Sequence, residues 1–400
     1  MLFDLYAGGH HLQYLQNVAT YWARHELPGR LSIVVPKHFL DAYPSLATFA
    51  AAHRTSGIAV VSISEDVRPL GSGPLRLVRA GLEHARHVRH YVKHLRPDHA
   101  VLMYFDHAQL ALALDLRFSF PVRFSGIYFR PSFHYSRFGE HMVSTEERLR
   151  NLRKRLLLWA ALRNPHFGTL FCLDPYVMPD VRRMGGQPVA LPDGVVPRVG
   201  EAADVRWEIE AERKTVLLFG SLARRKGIFE VLDALRRLPA SDQRQLGFVL
   251  AGPIVDPERE RVLREVRALK YHTPLQVVLD ERFIPDEEIQ AMVRRADLVL
   301  LTYQRHVGSS NVLARAAMAG VPVLATDYGL VGRLVQERRL GQTIDATSGA
   351  DIAAALSSYL EAPSALPFSP EDAARFAAGH TADAFARTIL AHTALHRTAS

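Results

Sequence analysis

The stretch TVLLFGSLARRKG, Thr215 to Gly227, runs from an apolar segment of strand length into a glycine, three successive cations and a second glycine. A near-continuous apolar run is how a strand reads when both its faces are covered, and that happens in parallel sheets flanked by helices. Four more such runs follow, Gly247 to Leu250, Leu275 to Leu279, Asp297 to Leu301 and Val321 to Ala325, separated by helical periodicity. The second half is therefore expected to be a doubly wound α/β domain. The first half repeats the alternation less sharply. An apolar run from Leu2 to Ala7 enters Gly8-Gly9-His10-His11 and then a helical pattern to about His25. Leu31 to Pro36, Ile58 to Ile63 and Ala100 to Phe105 read as strands, and Leu75 to Leu95 as a helix. Residues 191 to 212 carry proline, glycine and charge and read as a linker without a core. One α/β domain is thus expected over 1–195 and a second over 205–370. A single helical pattern, roughly Pro370 to Leu395, forms a final element over 371–400.

Composition narrows the classes. The chain has 400 residues, 48% hydrophobic and 22% charged, which suits two or three globular domains. Its one cysteine, Cys172, excludes a disulfide framework and multi-cysteine metal sites. No run reaches the ~18 apolar residues of a membrane span, and Met1 opens no signal-like segment, so a cytoplasmic protein is expected. Charge is uneven: residues 1–200 hold 24 Lys/Arg against 15 Asp/Glu, and 14 of the 19 histidines. No helix-turn-helix, zinc-finger or RNA-binding signature accompanies that charge, and nucleic acid is not expected as a partner.

Ligands of open parallel sheets sit outside the carboxyl ends of the strands, so the loops there carry the chemistry. Gly8, Gly9 and His10 follow the first run, where residues without Cβ let backbone N–H groups approach an anion; a tight strand-to-helix turn is the alternative. Ser221, Arg225 and Lys226 lie where cations at a helix start would neutralise a diphosphate, or form a solvated charge run. Gly308, Ser309, Ser310 and Asn311 precede the helix Val312 to Ala319 as N-caps and as an anion cradle, roles that coexist.

FGSLARRKG, LAGP (Leu250 to Pro253) and ADLVLLTYQRHVGSSNVLARAAMAGVPVLATD, in that order and spacing, resemble the C-terminal domain of GT-B fold glycosyltransferases of family 4, the group 1 glycosyltransferases. The likeness covers about residues 191 to 345; the first half resembles the fold only in architecture and glycine loop. It implies two Rossmann-like domains facing a cleft, the first taking the acceptor and the second the nucleotide-sugar, with a last helix returning to the first domain. Lys226 falls on the family lysine that contacts the diphosphate, while Ser221 replaces an arginine for which Arg224 or Arg225 can substitute. The backbone of Gly308 to Val312 falls on the turn around the diphosphate and transferred sugar. The family's paired glutamates fall on Val307 and Arg315. An arginine cannot accept hydrogen bonds from ribose hydroxyls as a carboxylate does, so the donor is held differently, is a different donor, or is absent. Arg305 and His306 are the nearest polar groups, and His306 is a candidate catalytic residue.

In the first half, Asp106 and His107 are candidates for a base or a donor-contacting imidazole, or for structural roles. Arg130, His134 and Tyr135, in GIYFRPSFHY, form either an acceptor-binding wall or an ordinary aromatic loop. His84, His87, His90 and His94 read as a solvated basic face rather than a metal site, and no metal is expected. In EERLRNLRKRLLLWAALR, residues 146–163, the stripe Leu149, Leu152, Leu156, Trp159 and Leu162 or Arg163 lies among arginines. It rests either on an anionic membrane or in the domain core.

The expected function is transfer of a sugar from a nucleotide diphosphate sugar to a glycan or lipid-linked acceptor. The family retains anomeric configuration, and cations with a helix N-terminus replace a metal. No cofactor is expected, and the protein is placed in the cytoplasm, peripheral at the inner face of the membrane. The alternatives are a nucleotide-sugar-binding protein without catalysis, or a GT-B epimerase or phosphorylase.

Overall fold

The structure, a computed structural model, describes residues 1–6, 11–63, 76–114, 122–138, 144–195, 205, 207–255 and 257–393. Gly8, Gly9 and His10 lie outside the described residues. The chain divides into two compact units, Met1–Gly194 with the segment from His380 onward, and Val195–Gly379.

The first unit holds strands β1 (Leu2–Phe3), β2 (Leu31–Pro36), β3 (Ile58–Ile63), β4 (His99–Leu102), β5 (Arg123–Tyr128), β6 (Phe167–Cys172) and β7 (Gln187–Ala190). They form one parallel sheet in the order β3-β2-β1-β4-β5-β6-β7. Alternation along the strands sends Phe3, Val34 and Leu102 to one face and Leu2, Ile33 and Val101 to the other, each against its own helices. The second unit holds β8 (Lys214–Phe219), β9 (Leu246–Ala251), β10 (Gln276–Asp280), β11 (Leu298–Leu301), β12 (Val323–Thr326) and β13 (Gly341–Ile344). Its order is β10-β9-β8-β11-β12-β13, again all parallel. Both are doubly wound α/β sheets, and no helix among the described residues is long and apolar enough to cross a membrane.

Several expectations are corrected. The run Ala100 to Phe105 ends as a strand at Leu102, and Phe105 opens the helix Phe105–Leu114, so Asp106 and His107 sit in a first helical turn rather than at a strand end. The supposed coreless linker is anchored: the Tyr14 hydroxyl donates to Asp193 (2.7 Å), Asn17 donates to the Gly194 carbonyl (2.8 Å), and Leu191, Val195 and Trp207 are buried. The terminal pattern breaks in two. Pro370–Gly379 packs on the helix Asn311–Ala319 of the second unit, whereas Ala382–Ala391, capped by Thr381 accepting from Ala384 N, packs on His11–Arg24 of the first.

The histidine face is also corrected. His90 and His94 are exposed, but His84 and His87 turn inward in the helix Arg76–Leu95. His84 lines an apolar pocket with Val88, Val92, Leu102 and Leu112, and neither ring nitrogen has a partner. Burial pulls its pKa down to about 3. Among the described residues no cluster suits a metal ion.

The helix Thr145–Leu162 has two apolar stripes. Lys154, Leu158, Ala161 and Leu162 face the protein. Leu149, Leu152, Leu156 and Trp159 do not, being 69%, 54%, 57% and 40% exposed. The core reading of that second stripe is therefore overturned. Lys154 donates to the Arg130 carbonyl (2.9 Å) and to Ser132 Oγ (2.8 Å), so it is a fastener and not part of the outward cationic face.

Candidate functional site

In each sheet the chain winds outward in both directions from one central pair, β1 beside β4 and β8 beside β11, and the loops leaving that pair open a crevice at the carboxyl edge. In the second unit the β8 loop begins at Gly220 with φ +99°. A Cβ on Gly252, after β9, would lie 2.2 Å from the Gly220 carbonyl oxygen, so backbone meets backbone here. Arg224–Lys226 make one 3-10 turn that ends on Gly227 in the left-handed region. Lys226 is 6% exposed; its Nζ donates to the Phe219 carbonyl (2.6 Å) and lies 5.2 Å from the Tyr303 ring centroid. Ser221 and Arg225 are exposed.

The β11 loop is stitched to this turn. Gln304 N donates to the Arg225 carbonyl (2.8 Å) and Thr302 Oγ1 to the Lys226 carbonyl (2.9 Å). Ser310 occupies the N-cap position of Asn311–Ala319, yet its hydroxyl pairs with the Tyr303 hydroxyl (3.0 Å) and makes no cap bond. The expected side-chain capping is thus not made by Ser310. Gly308 has φ +113°, and the His306 ring, tilted over Tyr303, donates from Nε2 to the Ser309 carbonyl (3.1 Å). That bond makes Nδ1 the basic nitrogen of the neutral ring. Lys226, Arg225, Gly308, Ser309, Ser310 and Asn311 are brought to one edge, an arrangement able to hold an anion against a helix N-terminus.

Arg315 has another partner than expected. It is 4% exposed, and Nη2 donates to Asp286 Oδ1 (3.0 Å) at the start of the helix Asp286–Arg295; Nη1 has none. Asp286 was missed by sequence reasoning. Its signal was PDEE, Pro285 to Glu288, at the helix start that follows the strand ending at Asp280.

In the first unit the pair β1 and β4 carries titratable and aromatic groups. Asp4, fully buried, binds His11 Nδ1 (2.6 Å), whose ring stacks on Phe129 at 6.0 Å. The Tyr6 hydroxyl pairs with His107 Nδ1, and Tyr104 lies 4.9 Å from both His107 and Phe129. Asp106 is committed elsewhere: its oxygens accept from Phe129 N (2.9 Å) and Arg130 N (3.0 Å), fixing the chain after β5. Burial raises its pKa, against those bonds and Lys154; burial likewise lowers that of Lys154. His134 and Tyr135 are buried, and His134 Nε2 pairs with buried Asp174 (3.0 Å), so of the expected wall only Arg130 is exposed. Asp4, Tyr6, His11, Tyr104 and Phe129 were not singled out from the sequence, except that His11 belonged to the glycine loop.

Two doubly wound parallel α/β sheets of these strand orders are those of the GT-B fold. Residues 201–378 match the family model described as Glycosyl transferases group 1. No curated protein matches the chain by sequence. Sucrose-phosphate synthase from Thermosynechococcus elongatus superposes with a TM-score of 0.69 at 17% identity over 97% of this chain and 96% of that one. Anabaena HepE in complex with UDP gives 0.61 at 16% identity, covering 98% of each chain. The UDP-forming trehalose-phosphate synthase of Burkholderia xenovorans, in complex with glucose-6-phosphate, gives 0.61 at 13%, over 98% and 99%.

Proposed function

We propose that the protein is a glycosyltransferase that moves a sugar from a nucleotide diphosphate sugar to a glycan or lipid-linked acceptor. The observation that carries this reading is the group 1 domain on a sheet whose central loops bring Lys226 and the turn before Asn311 to one edge. In this reading the second unit takes the nucleotide. Lys226, Arg225 and the helix N-terminus offset charge on the departing diphosphate, so no metal ion and no cofactor enters the step. The first unit takes the acceptor beside Tyr6, His11, Tyr104 and His107. His107, tied to Tyr6, is the group there suited to move the acceptor proton. The sugar is transferred with retention, readable from the product's anomeric coupling constant.

A second observation bears on where this happens. The exposed stripe Leu149, Leu152, Leu156 lies among exposed Arg148, Arg153 and Arg155, the pattern of a helix seated in an anionic lipid surface. It supports a cytoplasmic, membrane-peripheral enzyme and a lipid-linked acceptor.

The test is thermal shift and calorimetry of the purified chain against UDP, GDP, ADP and their hexose conjugates. Saturable binding of one nucleotide, weakened in Lys226→Met, followed by sugar transfer in the presence of membrane lipid extract, is the expected result. Silence across the panel defeats the reading.

A further inference from the structure

A ribonucleoside diphosphate presents, beside its phosphates, a vicinal diol whose hydroxyls both donate and accept hydrogen bonds. Recognising it takes an acceptor oxygen with spare capacity and, best, a donor beside it. The position on the helix Asn311–Ala319 where the resemblance would put a carboxylate is the buried Arg315, so the acceptor must come from elsewhere on the edge. The neighbouring carboxylates are taken. Asp280 and Glu288 both bind Arg282, at 2.9 and 2.6 Å. Asp286 differs from them. One of its oxygens is held by Arg315 at 3.0 Å, the side chain is 42% exposed, and no further hydrogen bond occupies its other oxygen. Arg315 is 4% exposed and its Nη1 is unpaired, although a buried guanidinium nitrogen without a partner is costly. Its neighbour Gln290 donates to the Arg315 carbonyl (3.3 Å), fixing the helix Asp286–Arg295 to the helix Asn311–Ala319 at this point.

The geometry points to a relocated ribose site: Asp286, oriented by the buried Arg315, accepts the hydroxyls of the nucleotide's ribose on its second carboxylate oxygen. The inference rests on the proposed nucleotide-sugar reaction. A carboxylate with one oxygen held by a guanidinium and the other open to solvent is fixed in orientation and keeps acceptor capacity for a vicinal diol. Asp286 is thus a binding residue and Arg315 a positioning one.

The experiment compares UDP, GDP and ADP with their 2′-deoxy counterparts by calorimetry, on wild type, Asp286→Ala and Arg315→Gln. Wild type is expected to prefer the ribonucleotide by about tenfold, the size of one charge-assisted hydrogen bond. Asp286→Ala should bind the ribonucleotide about tenfold more weakly and bring the ribo-to-deoxy ratio near one, because the deoxy form has already lost the contact. A merely structural Asp286 would weaken both nucleotides equally and leave the ratio intact, which overturns the inference while leaving the proposed function standing. If Arg315→Gln fails to fold, the exposed Asp286→Ala variant still decides. If no nucleoside diphosphate binds wild type, the proposed function falls and this inference with it.

Discussion

The two sheets have the same winding and opposite contents at their centres. Around β8 and β11 the loops are glycine and backbone, with Gly220, Gly252 and Gly308 at positive φ and one buried lysine fastened to the strand end. Around β1 and β4 the same positions hold Asp4, Tyr6, His11, Tyr104 and His107, rings and ionisable groups in mutual contact. The first arrangement is rigid and presents N–H groups; the second is rich in groups that can exchange protons. A parallel sheet supplies only the crevice, and the side chains after each central strand decide whether it binds or reacts.

The contrast can be broken at several points. Gly252→Ala should do the most damage, about 3 kcal/mol or more, because the new Cβ would lie 2.2 Å from the Gly220 oxygen at φ +124°. Urea denaturation reads this as a loss confined to the second unit's transition. His84 makes the first unit the acid-sensitive one. Its folded pKa of about 3 lies below the ordinary 6.5, so the unfolded chain binds the proton first. Stability from this residue is full above pH 6.5 and falls as pH drops from there toward 3. By pH 4.5 the loss is about 2–3 kcal/mol. His84→Leu should flatten that part of the profile, and an unchanged profile would clear His84 of the effect. Lys226→Met should weaken nucleoside diphosphate binding by about 1–3 kcal/mol without touching the first unit, as calorimetry would show. His107→Gln should instead spare nucleotide binding and slow sugar transfer by about 10²-fold. The smallest stability change is expected for Leu152→Glu with Leu156→Glu, within about 0.5 kcal/mol, since both are exposed. The same pair should abolish sedimentation with anionic liposomes, and full retention would remove the helix from the membrane.

Much of the second unit was legible because TVLLF, GFVL and VPVLA are buried on both faces and so carry no alternation to misread. The helix Thr145–Leu162 shows what pattern alone leaves open. Two stripes share it, and the one without tryptophan won the core because Lys154 could satisfy the Arg130 carbonyl while Leu158 filled the sheet face. The tail misled for a related reason: apolar spacing runs on through Gly379-His380-Thr381, although a glycine followed by a capping threonine marks an end and a new start. The loops of the candidate site were legible where spacing fixed them, at Lys226 and Gly308 to Asn311, which the fold brings to one edge. Asp286 was not, because its role comes from an arginine 29 residues away that only folding brings near.

Phe385 is wholly buried in the first unit, stacked 4.4 Å from Tyr14, and Ile389 beside it is equally hidden. The order of synthesis gives this a meaning. A ribosome releases Tyr14 early and Phe385 only after Val195–Gly379, so the amino-terminal half waits, with an open seam over its first helix, through the whole translation of that segment. That middle segment is continuous and can close on its own core as it emerges. The later-made half is then the first to be finished, and the helix Ala382–Ala391 acts as the clasp that completes the earlier one.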